Sequence, residues 1–199
     1  MKGLVPCSYL KCSSGGYLAL MAGFAVSLRP TALVSFYGYG DIIGPWYSQP
    51  DPFYLRQPLI SRERAYSVVG QEVISGTPEP HDRDDFYLYC RQQGLWPNEV
   101  AGHDPAIEPG FFLPYCPLQN VDSSYPPTLL LHGDQDTDVP YEQSVLMQRK
   151  LAEVGVPHEL VTIPNGKHGF DYDRDSAVVA QAFDTVINFL SRQIGPGGL

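Results

Sequence analysis

The strongest constraint on this chain is a set of short apolar runs, each closed by glycine or proline and separated by longer helical patterns. Ala32-Leu33-Val34-Ser35-Phe36-Tyr37-Gly38 and Thr128-Leu129-Leu130-Leu131-His132-Gly133 are nearly continuous in apolar side chains, which reads as strands covered on both faces. His158-Glu159-Leu160-Val161-Thr162-Ile163-Pro164 reads as a further strand. Between residues 16 and 28, Leu18, Ala19, Leu20, Met21, Ala22, Phe24 and Ala25 suit a helix buried on several sides. Pro140 opens a helical segment to about residue 154, with Val145, Leu146, Met147 and Leu151 on its apolar face and Gly155 stopping it. From residue 176 to about 193, Val179, Phe183, Val186, Ile187 and Leu190 fall at amphipathic helical spacing, and the tail from Gly195 is expected to fray. Strand, helix and strand in succession imply a parallel sheet. The fold class is therefore α/β: a mostly parallel sheet of about four strands flanked by helices.

A chain of 199 residues, 43% of them hydrophobic, buries a real core and is most simply a single domain over residues 1–199. Residues from about 40 to 127 interrupt the sheet. They are rich in proline, glycine and aromatic side chains, among them Trp46, Tyr47, Phe53, Tyr54, Trp96, Phe111, Phe112 and Tyr115, with 84–94 the clearest internal helix. An insertion of that length is either functional or disordered. Its aromatic content points to a packed cap, whose rings are either simple core or partly a substrate lining. The net charge of −9 comes with no Lys/Arg cluster, so neither nucleic acid nor an anionic membrane surface is an expected partner. Residues 1–7 lack an apolar run long enough for a signal peptide, and nothing later approaches the ~18 apolar residues of a membrane span. Cys7, Cys12, Cys90 and Cys116 form no CxxC pair and read as free thiols. A soluble, cytoplasmic protein is expected.

Chemistry concentrates in three places. Leu10-Lys11-Cys12-Ser13-Ser14-Gly15-Gly16-Tyr17 reads as a strand end, a very tight turn and a helix start. Such a turn lifts a serine hydroxyl clear of the sheet and aims the next backbone N–H at a substrate oxygen. A serine hydroxyl needs a base, and the base needs a carboxylate to hold its tautomer. Asp136 follows the strand ending at Gly133, and His168 follows the strand ending at Pro164. In a parallel sheet, groups just past strand C-termini share one crevice. Singly, each has a plainer use: Ser13 in an ordinary turn, His168 in an exposed loop, and any of Asp134, Asp136 and Asp138 capping the helix at Pro140. Of the other histidines, His132 is expected to pack or hydrogen-bond at its strand end, His158 to open a strand, and His81 and His103 to lie in the insertion. No metal spacing and no phosphate or dinucleotide fingerprint is present, so no cofactor is expected.

Ser13-Ser14-Gly15-Gly16-Tyr17-Leu18-Ala19-Leu20, Leu131-His132-Gly133-Asp134-Gln135-Asp136-Thr137-Asp138-Val139-Pro140 and Lys167-His168-Gly169-Phe170 resemble the α/β-hydrolase superfamily, nearest its esterase/lipase and prolyl-oligopeptidase-like branches. The resemblance covers residues 11 to 192. It implies Ser13 as nucleophile, Asp136 as triad acid, His168 as general base, the Ser14 N–H as an oxyanion donor, and a cap from the insertion. The family pattern has glycine where Lys11 stands, and an HGGG-type loop supplying a second oxyanion donor that is not found here. Loss of one such donor typically costs about 100- to 1,000-fold in rate. The chain thus reads as the C-terminal portion of a hydrolase, with an atypical leader over residues 1–10 in which Pro6 disfavours a strand.

The function these features imply is cleavage of a carboxylic ester through an acyl-enzyme, on a small-molecule ester substrate. Two alternatives stand beside it. One is a prolyl-oligopeptidase-type serine peptidase acting on a short peptide; the other is an inactive, truncated hydrolase that binds a partner, with self-association through an exposed sheet edge.

Overall fold

The computed structural model describes residues 8–70 and 83–194; residues 1–7, with Pro6 and Cys7, His81 and the tail from Gly195 lie outside them. In chain order come β1 (Ser8–Cys12), α1 (Ser14–Ala25), β2 (Ala32–Phe36), an excursion whose longest helix is α2 (Arg83–Gln93), β3 (Thr128–Gly133), α3 (Glu142–Glu153), β4 (His158–Ile163) and α4 (Ala177–Ile194). The four strands form one parallel sheet in the order β1-β2-β3-β4. Its register sets Cys12 beside Phe36, Phe36 beside Leu131, and Leu131 beside Val161. β1 and β2 therefore end opposite each other, β3 and β4 end opposite each other two residues further on, and the loops that follow all four rise from one edge.

The contacts divide the chain into two compact units. One joins the chain up to Asp41 with the chain from Leu113 onward; the other is Ile42–Phe112. In the first, every residue of β2 and β3 is buried, which is why these strands show no alternation in sequence. Ala32, Val34, Phe36, Leu129 and Leu131 face Val179, Ala182, Val186 and Phe189 of α4. Leu33 and Leu130 face the other way, onto Leu20 of α1 and Met147 and Leu151 of α3. Helices thus cover both faces of the sheet. β4 is half exposed, as suits an end strand.

Element ends depart from the sequence reading where backbone geometry intervenes. α1 begins at Ser14 rather than Gly16, because the turn is completed at Ser13. β2 stops at Phe36, because Tyr37 has φ 38° and leaves the extended region. α3 begins at Glu142, with Pro140 in the turn before it.

The Ile42–Phe112 unit is organised around Arg91, whose side chain is 1% exposed. Its guanidinium pairs with Asp51 at 2.7 Å, donates to the Tyr87 hydroxyl at 2.7 Å and lies 4.6 Å from the Tyr54 ring centre, with Trp46 and Tyr47 also beside it. A buried charge is stable only when so paired. The Gln92 amide stitches α2 to the segment before it, donating to the carbonyls of Tyr54 and Pro58 and accepting from the Ile60 N–H. Tyr47 and Tyr54 are buried here, so part of the aromatic content is core. Cys12, Cys90 and Cys116 are free thiols. Among the described residues no helix is long and apolar enough to cross a membrane.

Candidate active site

Ser13 occupies the turn between β1 and α1 with φ 51° and ψ −124°. A non-glycine residue there carries backbone strain, of order 1–3 kcal/mol. Bonds on both sides hold it: its N–H donates to the Phe36 carbonyl at 3.0 Å and its carbonyl accepts from the Tyr17 N–H at 3.0 Å. The turn is tight because α1 lies directly on β2. A Cβ on Gly16 would stand 2.8 Å from the Phe36 oxygen and 2.9 Å from the Gly38 Cα, so a larger residue would push the helix away. Serine at a helix N-cap commonly accepts a backbone N–H, but the Ser13 hydroxyl makes no such cap. It meets His168 Nε2 at 3.0 Å instead. Lys11, in register with Ser35, continues β1 up to this turn. The Ser14 N–H opens the first turn of α1, where a helix offers no internal acceptor.

The structure assigns different uses to the three aspartates after β3. Asp136 Oδ1 accepts the N–H groups of Asp138 and Val139, each at 2.9 Å, and so shapes its own turn; its other oxygen, Oδ2, accepts from His168 Nδ1 at 2.8 Å. Asp134 Oδ1 accepts the Asn165 N–H at 2.7 Å, tying the loop after β3 to the loop after β4. The Asp138 carboxylate lies 3.5 Å from His168 Nε2. None of the three is the N-cap of α3, a position held by Tyr141. The two loops can meet because both are glycine at the contact: a Cβ on Gly133 would lie 2.2 Å from the Gly166 oxygen. Gln135 N–H to Gly166 carbonyl, at 2.9 Å, closes the seam.

Ser13, His168 and Asp136 thus form one continuous hydrogen-bonded line, although 155 residues separate the first pair and 32 the second. Its electrostatics are set by carboxylates. Burial disfavours charge on Asp136, but hydrogen bonds from His132 and His168, the His168 charge and the Asp138 N–H outweigh it and hold the carboxyl well below the usual range. Burial likewise opposes charge on His168, yet Asp136 by hydrogen bond and charge, with Asp138 and Asp171, raises its pKa above the ordinary imidazole value. The site is poised to accept a proton at Nε2 and to stabilise the resulting cation.

His132 bears on the site more directly than its sequence position indicates. Fully buried, it faces the Val139 carbonyl at 3.0 Å and Asp136 Oδ2 at 3.3 Å through Nε2, and the Ser144 hydroxyl at 2.7 Å through Nδ1. Two acceptors at Nε2 assign the proton there, and Ser144 then donates to Nδ1. Tyr37 and Asp171 lie in no sequence motif yet bear on the site. Tyr37 sets its ring 4.5 Å from that of His168 and donates its hydroxyl to Asp171 at 2.5 Å. Burial and that carboxylate push the Tyr37 phenol far above its ordinary pKa, so it stays protonated. The one available hint was a bulky residue immediately before glycine at a strand end. His103 stacks on Phe111 and bonds Glu108 within the other unit. His158 caps its own strand by bonding the Val156 carbonyl.

Comparison with known proteins adds the family. Residues 88–197, more than half of the chain, match the model of the prolyl oligopeptidase family. The chain is 25% identical over 227 aligned residues to the non-reducing polyketide synthase ausA of Emericella nidulans, covering 92% of this chain and 9% of that protein. It is 32% identical over 91 residues to esterase LipQ of Mycobacterium tuberculosis, covering 44% of this chain and 22% of that one. It therefore spans about a tenth of the length of the polyketide synthases it matches and a larger but still minor share of the esterase. Among solved structures, a Staphylococcus aureus protein of unknown function superposes with TM-score 0.72 at 20% identity, over 94% of this chain and 64% of that chain. A puromycin-hydrolyzing peptidase of Mycobacterium tuberculosis superposes with TM-score 0.56 at 21% identity, over 94% of this chain and 22% of that chain. At these identities the structural likeness is one of fold. Taken with the four-stranded parallel sheet and the match over 88–197, it means that this chain belongs to the prolyl oligopeptidase family and has an α/β-hydrolase fold.

Proposed function

We propose that the chain is the catalytic part of a serine hydrolase that cleaves a carboxylic ester through an acyl-enzyme. The observation that carries this is the unbroken line from Ser13 Oγ to His168 Nε2 at 3.0 Å and from His168 Nδ1 to Asp136 at 2.8 Å. Ser13 Oγ attacks the carbonyl carbon while His168 Nε2 takes its proton. The carbonyl oxygen becomes an oxyanion, held by the Ser14 N–H. Collapse expels the alcohol, which leaves with the proton from Nε2. Water then gives its proton to Nε2 as its oxygen attacks the acyl carbon, and the acid departs as Ser13 Oγ recovers the proton. Asp136 holds His168 in the tautomer with hydrogen on Nδ1 and stabilises the imidazolium. The insertion is read as a cap, and the free thiols among the described residues, Cys12, Cys90 and Cys116, fit a reducing, cytoplasmic location.

Ester cleavage is favoured by the similarity to esterase LipQ and to a truncated carbohydrate esterase from gut microbiota, which superposes with TM-score 0.56. Peptide cleavage is the second reading, favoured by the family match and the puromycin-hydrolyzing neighbour. A fluorophosphonate probe is expected to label the wild-type chain and not Ser13→Ala. Aryl esters should be turned over faster than matched aryl amides; the reverse order makes the chain a peptidase. A folded wild-type chain that takes no label is the inactive, partner-binding alternative. β1 is an end strand of the described sheet, and pairing of two copies along it is the expected association; a monomer by analytical ultracentrifugation rules that out.

A further inference from the structure

We propose that Tyr37 and Asp171 act as a positioning pair that holds the imidazole of His168 in line with Ser13. The inference rests on the serine hydrolase reading and names residues outside the line of three. His168 stands in the loop beyond β4, the end strand of the described sheet, so this loop must be fixed from elsewhere. Tyr37 comes from the end of β2, two strands away, and touches the loop three times. Its ring lies 4.5 Å from the His168 ring at 58°, packs edge-on to Phe170 at 5.4 Å, and its hydroxyl donates to Asp171 in the turn Phe170–Tyr172.

The backbone is bent to make this possible. Side chains alternate along a strand, so Tyr37 following Phe36 belongs by alternation on the α1 face with Leu33. It lies instead on the α4 face with Phe36, in the cluster of Phe36, Ile163 and Phe170. The φ of 38° at Tyr37 breaks the alternation, while its N–H still donates to the Leu131 carbonyl at 2.7 Å. A bulky residue at positive φ is rare and persists only where its surroundings require it. What the strain accomplishes here is to seat a 1%-exposed phenol between the general base and the turn that carries it. The ring restricts rotation of the imidazole, and the hydroxyl fixes the turn. Together they limit drift of Nε2 from Ser13 Oγ, and a small misplacement of reacting groups is costly in rate.

The test is the rate of fluorophosphonate labelling of the full chain, resolved into probe affinity and maximal labelling rate. Tyr37→Phe keeps the ring and removes the hydroxyl; Asp171→Asn, on a half-buried turn, weakens the same bond from the other side and serves if Tyr37→Phe does not fold. Each is expected to slow the maximal rate about tenfold, with affinity within about twofold. Read at a pH above the His168 titration, where the Asp171 charge no longer sets how much of the imidazole is neutral, the double variant should be no slower than the slower single one, because both then act through one bond. A labelled wild type with single variants within twofold of it, losses confined to affinity, or losses that multiply in the double variant overturn the positioning pair and leave the hydrolase reading intact. A folded wild type that takes no label overturns the hydrolase reading, and this inference with it.

Discussion

Asp136 uses its two oxygens separately, Oδ1 to build the turn after β3 and Oδ2 to hold His168. Asp136→Asn therefore keeps a turn-forming oxygen but removes the anion that selects the His168 tautomer. A loss of about a thousandfold or more in ester turnover is expected, measured as kcat on an aryl ester. The pH profile follows from the same residues. The proposed mechanism needs neutral His168; burial opposes its charge, but Asp136, then Asp138 and Asp171, raise its pKa. The rate should rise with pH through a value above the ordinary 6.5, and Asp136→Asn should move that limb downward. For stability the sign is opposite: a raised histidine contributes fully below about 6.5, and its contribution fades as pH rises through the folded value. Thermal melts across neutral pH read that decline. Ser13, Asp136 and His168 were legible in the sequence because each sits in a short local motif after an apolar run. Tyr37 and Asp171 were not, since 134 residues separate them and neither lies in a motif.

The two loops of the site depend on how closely elements approach. Gly133→Ala would set a Cβ against the Gly166 carbonyl, forcing the loop of Asp136 from the loop of His168. An expected cost of about 1–3 kcal/mol in stability, read by urea unfolding, comes with at least about tenfold slower labelling. Phe189→Ala, at a 2%-exposed position under β2 and β3, should cost about 3–5 kcal/mol by the same unfolding measurement. Helices and strands were readable because their periodicity records which faces are covered. Their ends were less so: Gly16 marks a helix already two residues old, and Tyr37 ends β2 through a φ that no apolar pattern encodes.

The molecule as a whole contains two compact units with different kinds of core. The sheet unit is held by aliphatic and aromatic layers, while Ile42–Phe112 is organised around a buried Arg91–Asp51 pair ringed by aromatic side chains. Asp51→Asn leaves the guanidinium charge without its carboxylate, at an expected cost of about 3–5 kcal/mol. Hydrogen exchange should accelerate across Ile42–Phe112 while the amides of β2 and β3 keep their protection. The amino-acid order alone determined the parallel α/β class, the positions of the principal helices and strands, and the three residues that end in line, because these follow from neighbours within a few positions. Only the folded chain decided the strand register, the division of labour among Asp134, Asp136 and Asp138, and the reversed side chain of Tyr37. Those depend on groups up to 134 residues apart meeting within about 3 Å, and such meetings are settled by packing rather than by local preference.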